Sequence, residues 1–192
     1  MSQNRVVLRI KVKEADSMKP IVKTTKSYKL SYKKKSATTD SYLPRGASRS
    51  VSVCESCRAV YMNKRWYARH DVNETIMKKT DIETIVCPAC LKIRDNFPGG
   101  IVTLKGDYVL PHKQDLMKLI KNEEERAHGL NPLERVMSVK ENGYGSLVIS
   151  TTNETLAQRI GRAIKKAFHG EVSYQWSHDN KLVRVDWVKE IA

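Results

Sequence analysis

No run of apolar residues in this chain approaches the roughly 18 that a membrane-spanning helix needs, and residues 1–50 contain neither Trp nor Phe to anchor a segment in a lipid interface. The earliest apolar stretch, Val6 to Ile10, is interrupted by Arg9 and is too short for a secretory core. Glu14, Asp16 and the lack of a helical stripe argue against an organellar transit peptide. Together these absences lead us to expect a cytoplasmic protein. Catalytic constellations are missing too: the five histidines are scattered, and no Ser-His-Asp or paired-carboxylate pattern stands out. Glu123, Glu124 and Glu125 are consecutive on an expected helix, so they point in different directions and form a solvated face. We therefore expect no enzyme and no small-molecule substrate.

Acidic residues are also short, 21 against 35 Lys and Arg, for a net charge of +14. The imbalance is local. Residues 1–53 carry nine Lys and four Arg against three acids, a net +10, and the other 139 residues supply only +4. A cationic segment with so few branched aliphatics cannot offset its ordering entropy alone, so residues 1–53 are expected to be a basic arm, disordered until bound. Its natural partner is a polyanion, because clustered positive charge displaces the counterions of phosphate. Within it, "RVVLRIKVK" alternates Val6, Leu8, Ile10 and Val12 with a largely basic face, which predicts an extended strand. Arg5, Arg9, Lys11, Lys26, Lys29, Lys33, Lys34, Lys35, Arg45 and Arg49 are candidate phosphate contacts, with Tyr28, Tyr32 and Tyr42 available to stack on bases.

The four cysteines are the sharpest signal. "VCESCRAVY" and "IVCPACLKI" set Cys54-x2-Cys57 and Cys87-x2-Cys90 on either side of 29 residues. Two such pairs present four thiolates to one tetrahedral ion, a closed set suited to structural zinc; an iron–sulfur centre or a redox pair are the other chemistries of this spacing. Residues 54–98 are accordingly read as a four-cysteine zinc ribbon, with His70 an ordinary surface residue. Between the pairs, Val60–Met62 and Arg65–Tyr67 predict a hairpin turning at Asn63-Lys64, with Trp66 as its core plug and Arg65 as a possible nucleic-acid contact. Residues 71–84 are polar and compatible with a short helix.

Pro98-Gly99-Gly100 marks the expected boundary of a second domain, residues 99–192. Its pattern predicts strand 101–104, a helix from Pro111 through His128, strands 133–140 and 146–150, a helix over 151–168 opened by a Thr151/Glu154 capping box, and a closing hairpin. In that hairpin Val172, Tyr174 and Trp176 share one face and Val183, Val185 and Trp187 another, and both sets are expected beneath the helices. The order describes an α+β sandwich of split-βαβ type with an added strand. Arg159, Arg162, Lys165 and Lys166 lie off the apolar stripe of the last helix as a positive surface for phosphate.

"CPACLKIRDNFPGGIVTL", "NEEERAHGLNPLERV" and "TTNETLAQRIGRAIKKAFHGEVSYQWSHDNKLVRVDW" resemble the small bacterial zinc proteins related to the archaeal and eukaryotic large-ribosomal-subunit export adaptors, associated with ribosome stability and messenger decay. The resemblance spans about residues 51–189. It implies that Cys54, Cys57, Cys87 and Cys90 bind zinc and that the protein faces the ribosome, where ribosomal RNA is the partner and dormancy, assembly or stability the theme. The archaeal and eukaryotic adaptors carry more Cys-x2-Cys pairs than the two here, and the basic arm is no part of the pattern. A zinc-ribbon regulator of transcription that binds DNA is the alternative, although no helix-turn-helix or finger spacing is visible.

Overall fold

The computed structural model describes residues 42, 51–78, 82–142, 145–177 and 181–191. Among them two mixed sheets and four α-helices make an α+β fold. The smaller sheet begins with β1 (Val51–Cys54), so it takes in three residues of the segment read as arm. β2 (Val60–Met62) and β3 (Arg65–Tyr67) form the expected hairpin. Asn63 and Lys64 both adopt positive φ, 51° and 63°, which is the two-residue turn whose twist matches the paired strands.

Residues 71–84 do more than form a helix. One turn, α1 (Glu74–Met77), is capped by Asn73, whose side chain accepts from the Thr75 N–H. The chain then enters β4 (Ile82–Ile85), which runs parallel to β1 and completes the order β3-β2-β1-β4. The β-branched Ile82 and Ile85 outweigh the polar residues between them because β1 offers an edge to pair with. Val53, Val60 and Val72 form a small core on one side, joined by Ile76, Met77 and Ile82. Tyr61 and Trp66 pack on the cysteine side with ring centroids 5.2 Å apart, and Trp66 is buried as expected of a plug. α2 (Pro88–Arg94) follows, with Pro at its first position, where no backbone donor is required.

The larger layer contains β5 (Gly100–Lys105), α3 (Lys113–Leu130), β6 (Val136–Asn142), β7 (Ser146–Thr151), α4 (Glu154–Phe168), β8 (Glu171–Trp176) and β9 (Val183–Val188), in the predicted element order. The sheet runs β6-β7-β5-β9-β8. β6 is separated from β5 by β7, which is the split-βαβ arrangement. The added strand is not at an edge: β9 lies between β5, to which it is parallel, and β8, to which it is antiparallel. Period-two burial explains the preference. Val183, Val185 and Trp187 are all fully buried, whereas β8 has a single half-buried face and serves as an edge.

Both helices contribute to one core. Leu116, Ile120 and Ala127 of α3 and Leu156, Ile160 and Ile164 of α4 pack with Val102, Leu104, Leu147, Ile149 and the buried residues of β9. α4 starts on Asn153, whose side chain accepts from the Leu156 N–H, rather than on Thr151. Thr151 instead donates to the Asn153 carbonyl at 2.8 Å and is buried as the last residue of β7. Gly161 permits a close helix–sheet approach: a Cβ there would stand 2.6 Å from Val185 Cγ1. Trp187 donates its indole N–H to the His169 carbonyl at 2.6 Å, which ties the end of α4 to β9.

Pro98-Gly99-Gly100 forms a packed junction. Gly99 donates to the Thr151 carbonyl at 2.9 Å, and a Cβ on Gly100 would lie 2.5 Å from that of Ala157. Across this junction Lys92 reaches the Thr152 carbonyl, and Leu133 packs into the cysteine-side cluster. The Thr152 hydroxyl donates to the Leu133 carbonyl at 2.6 Å and accepts from the Arg135 N–H at 3.0 Å, which fixes the segment between α3 and β6.

Candidate metal centre

The four cysteine sulfurs all lie within 4.8 Å of one another. Four sulfurs about 2.3 Å from one tetrahedral ion stand about 3.8 Å apart, so a small contraction of this cluster would close on a single metal. Cys54 is the last residue of β1, and Cys57 stands in the turn that leads to β2. Arg58, at φ 65°, donates to the Cys54 carbonyl at 2.9 Å, while the Cys54 N–H donates to the Ala59 carbonyl at 2.8 Å; these bonds fold the first knuckle.

The second pair is held differently. A ribbon would place it on another hairpin knuckle, but Cys87 caps α2 and Cys90 lies within its first turn. The Cys90 N–H donates to Cys87 Sγ at 3.4 Å, and the Cys87 N–H donates to Cys54 Sγ at 3.3 Å. Backbone donors at a helix start therefore replace the second hairpin, and Pro88 supplies the required φ without adding a donor that would compete.

Electrostatics within the cluster favour shared negative charge. The Cys57 thiol is held down at about 4, first by a hydrogen bond from the Cys87 thiol 3.6 Å away, and against the opposing effect of burial by the Ala59 N–H and Arg135. Cys87 is raised because that same bond keeps its proton and burial disfavours its thiolate. Burial likewise raises Cys90. Burial works against the charge of Arg135, yet its hydrogen bond and attraction to the cysteines outweigh this and raise its pKa. Arg135 donates to Cys90 Sγ at 3.6 Å and to the Pro132 carbonyl at 2.8 Å.

A divalent ion held by all four sulfurs would displace the remaining thiol protons, since each ligand binds as a thiolate. Four soft thiolates suit zinc among biological divalents rather than magnesium or calcium, and they leave no protein-free coordination position in a tetrahedral shell. The residues thus fit a structural ion, with Arg135 offsetting the excess negative charge that four thiolates bring. His70 is exposed beside Asp71 and outside this cluster.

The other site residues expected from sequence are dispersed. Arg5, Arg9, Lys11, Lys26, Tyr28, Lys29, Tyr32, Lys33, Lys34, Lys35, Arg45 and Arg49 lie outside the described residues. Tyr42 packs on Phe97 with centroids 5.5 Å apart and donates to Asp95 at 3.2 Å. Arg65 lies over Tyr67 and donates to the Leu130 carbonyl at 3.3 Å. The cations of α4 divide between two sides. Arg159 is half-buried 3.9 Å from Glu123, and Lys166 lines a groove of about 560 Å³ with Asp115, Glu123 and Arg126, so that side is of mixed charge. Arg162 and Lys165 are exposed, and Arg162 acts electrostatically on Tyr174 of β8.

Two residues were not foreseen. Arg135 carries no local signal, since its role depends on where the α3–β6 connection lands. Trp176, expected beneath the helices, is 54% exposed. It keeps the face the period assigned but stands at the end of an edge strand, beyond the reach of α4.

Compared with known protein families, curated proteins and solved structures, the chain matches none.

Proposed function

We propose that this protein is a ribosome-associated RNA-binding factor in which a zinc-stapled body fixes the point of docking and the basic N-terminal segment lies along ribosomal RNA. The observation that carries this reading is the distribution of charge, +10 within residues 1–53 of a chain whose total is +14. A concentration of that kind is suited to neutralising a continuous run of phosphates, and RNA-rich particles offer grooves deep enough to take an extended cationic strand. Zinc in the four-cysteine cluster is structural in this reading and contributes stability on the order of 10 to 16 kcal/mol to a module whose own core is small. The family resemblance of residues 51–189 supports the ribosome as the particle, with occlusion of tRNA sites or of subunit joining as the consequence of docking.

Co-sedimentation tests it. The full-length protein is expected to pellet with ribosomal particles, and a variant beginning at Val51 to lose most of that association, with a shallower dependence on salt because each lost phosphate contact removes roughly 0.7 to 0.9 from the log–log slope. Equal pelleting of both proteins at every ionic strength would falsify the proposal. Full-length protein that stays in the supernatant at low salt yet shifts duplex DNA would establish a DNA-binding regulator instead.

A further inference from the structure

We infer that Trp176 and Tyr174, with Arg162 of α4 beside Tyr174, form a stacking site for an unpaired nucleobase of single-stranded RNA. The proposal deepens the RNA-binding reading above, on which its biological meaning rests. Of the three tryptophans, Trp66 and Trp187 are buried with only 6% and 0% exposure, while Trp176 is 54% exposed. A large apolar ring left in water at the end of an edge strand costs hydration free energy unless something covers it. Its orientation is set, not random. The Tyr174 and Trp176 rings are two residues apart on one face of β8 and lie nearly parallel, 22° between planes with centroids 5.9 Å apart. The pair presents a continuous aromatic strip.

At Tyr174 the strip meets a cation of α4. A Cβ at Gly161 would lie 3.2 Å from the Tyr174 hydroxyl, so α4 runs directly past this ring at residue 161. Arg162 is the next residue, and its charge acts on the Tyr174 hydroxyl, whose pKa is raised by burial and pulled the other way by the guanidinium. Arg162 is exposed. A flat π surface with an exposed cation at one end matches a nucleotide unit: the base stacks on the ring, and the phosphate meets the guanidinium. Duplex RNA fits poorly, because its bases are already stacked and their faces closed.

The test uses full-length, metal-loaded protein and an unstructured uridine-rich oligoribonucleotide. Because Trp66 and Trp187 are shielded, quenching of the exposed tryptophan emission on titration reports Trp176, and W176F should abolish most of it. W176A should weaken binding by about tenfold while leaving the slope of affinity against salt unchanged, since stacking adds no counterion release. R162A should flatten that slope by about one phosphate contact. A duplex of the same length should leave the emission unquenched. Unaltered affinity in W176A, or equal quenching by duplex and single strand, would overturn the site, and loss of particle association in the Val51 variant would still stand. Conversely, quenching by the single strand with no particle association under any condition keeps the stacking site and removes the ribosome.

Discussion

Replacing Gly161 by Ala should destabilise the protein even though the position is the interior of a helix, where Ala is worth about 1 kcal/mol more than Gly. The opposing effect is steric. The added methyl would stand 2.6 Å from Val185 Cγ1, where ordinary contacts begin near 3.4 Å. Val185 has little room to retreat: it is fully buried, its strand β9 is hydrogen-bonded on both sides, and its β-branched side chain is restricted at χ1. Overpacking of such a site costs about 1 to 3 kcal/mol, and the severity of this overlap places it in the upper half. The net expectation is a loss of about 1 to 2 kcal/mol, a fall in Tm of about 2 to 8 °C for a chain of this size. Thermal melts followed by far-ultraviolet circular dichroism would measure it. The diagnostic comparison is G161A in the V185A background, where the Val185 overlap is gone, the 3.2 Å approach to the Tyr174 hydroxyl is relieved by a shift of a few tenths of an ångström at the far end of that side chain, and the helix preference remains. There the same substitution should raise stability by up to about 1 kcal/mol, so its sign inverts. A rise in Tm for G161A alone would refute the close approach of α4 to β9, and with it the placement of Arg162 beside Tyr174.

Three further outcomes are expected. Stripping the metal with a chelator should raise hydrogen exchange across residues 51–98 while β5, β7 and β9 stay protected; uniform loss of protection would mean the two layers fold as one unit. The variant R135M should lower zinc affinity about 10- to 100-fold in a competition with a chromogenic chelator, because it removes the cation and hydrogen bond at Cys90 without removing a ligand. For every variant that affinity should fall as pH is lowered, since protons compete for the thiolates. In W187F the His169 carbonyl loses its 2.6 Å indole partner, and denaturant midpoints should report about 1 to 3 kcal/mol less stability; an unchanged midpoint would show that water satisfies that carbonyl equally well.

Elements whose signals are local were readable from sequence. The Asn63-Lys64 turn, the apolar stripe of α4 and the two Cys-x2-Cys pairs each depend on residues within a few positions of one another, and each occurs where the spacing put it. What depends on distant partners was not. β4 looked like polar connection because its strand character comes from pairing with β1. The depth of β9 in the sheet follows from a parallel alliance with β5 across some eighty residues, which no short window reveals. Pro98-Gly99-Gly100 read as a domain boundary from its local composition, and the crowding of Gly100 by Ala157 and Thr151 was not legible there because both neighbours lie more than fifty residues on. Of the metal centre, the ligands were legible and their scaffold only in half: a Cys-x2-Cys pair has the same spelling on a hairpin as at a helix start, although Pro88 was the available hint. The α4 cations were legible as a cluster, but helix rotation sends Arg159 toward Glu123 and Arg162 toward β8.

The interior seat of β9 also orders events during synthesis. Until residue 188 has left the ribosome, β5 and β8 have no strand between them, and the hydrophobic layer lacks Val183, Val185 and Trp187. The metal module has by then long been exposed and able to capture its ion, so a nascent chain should pass through a stage with a finished metal module and an open sheet. Such a stage is the one most open to misassociation, since two bare strand edges and an uncovered core are available together. Termination before residue 183, the start of β9, would trap the chain there.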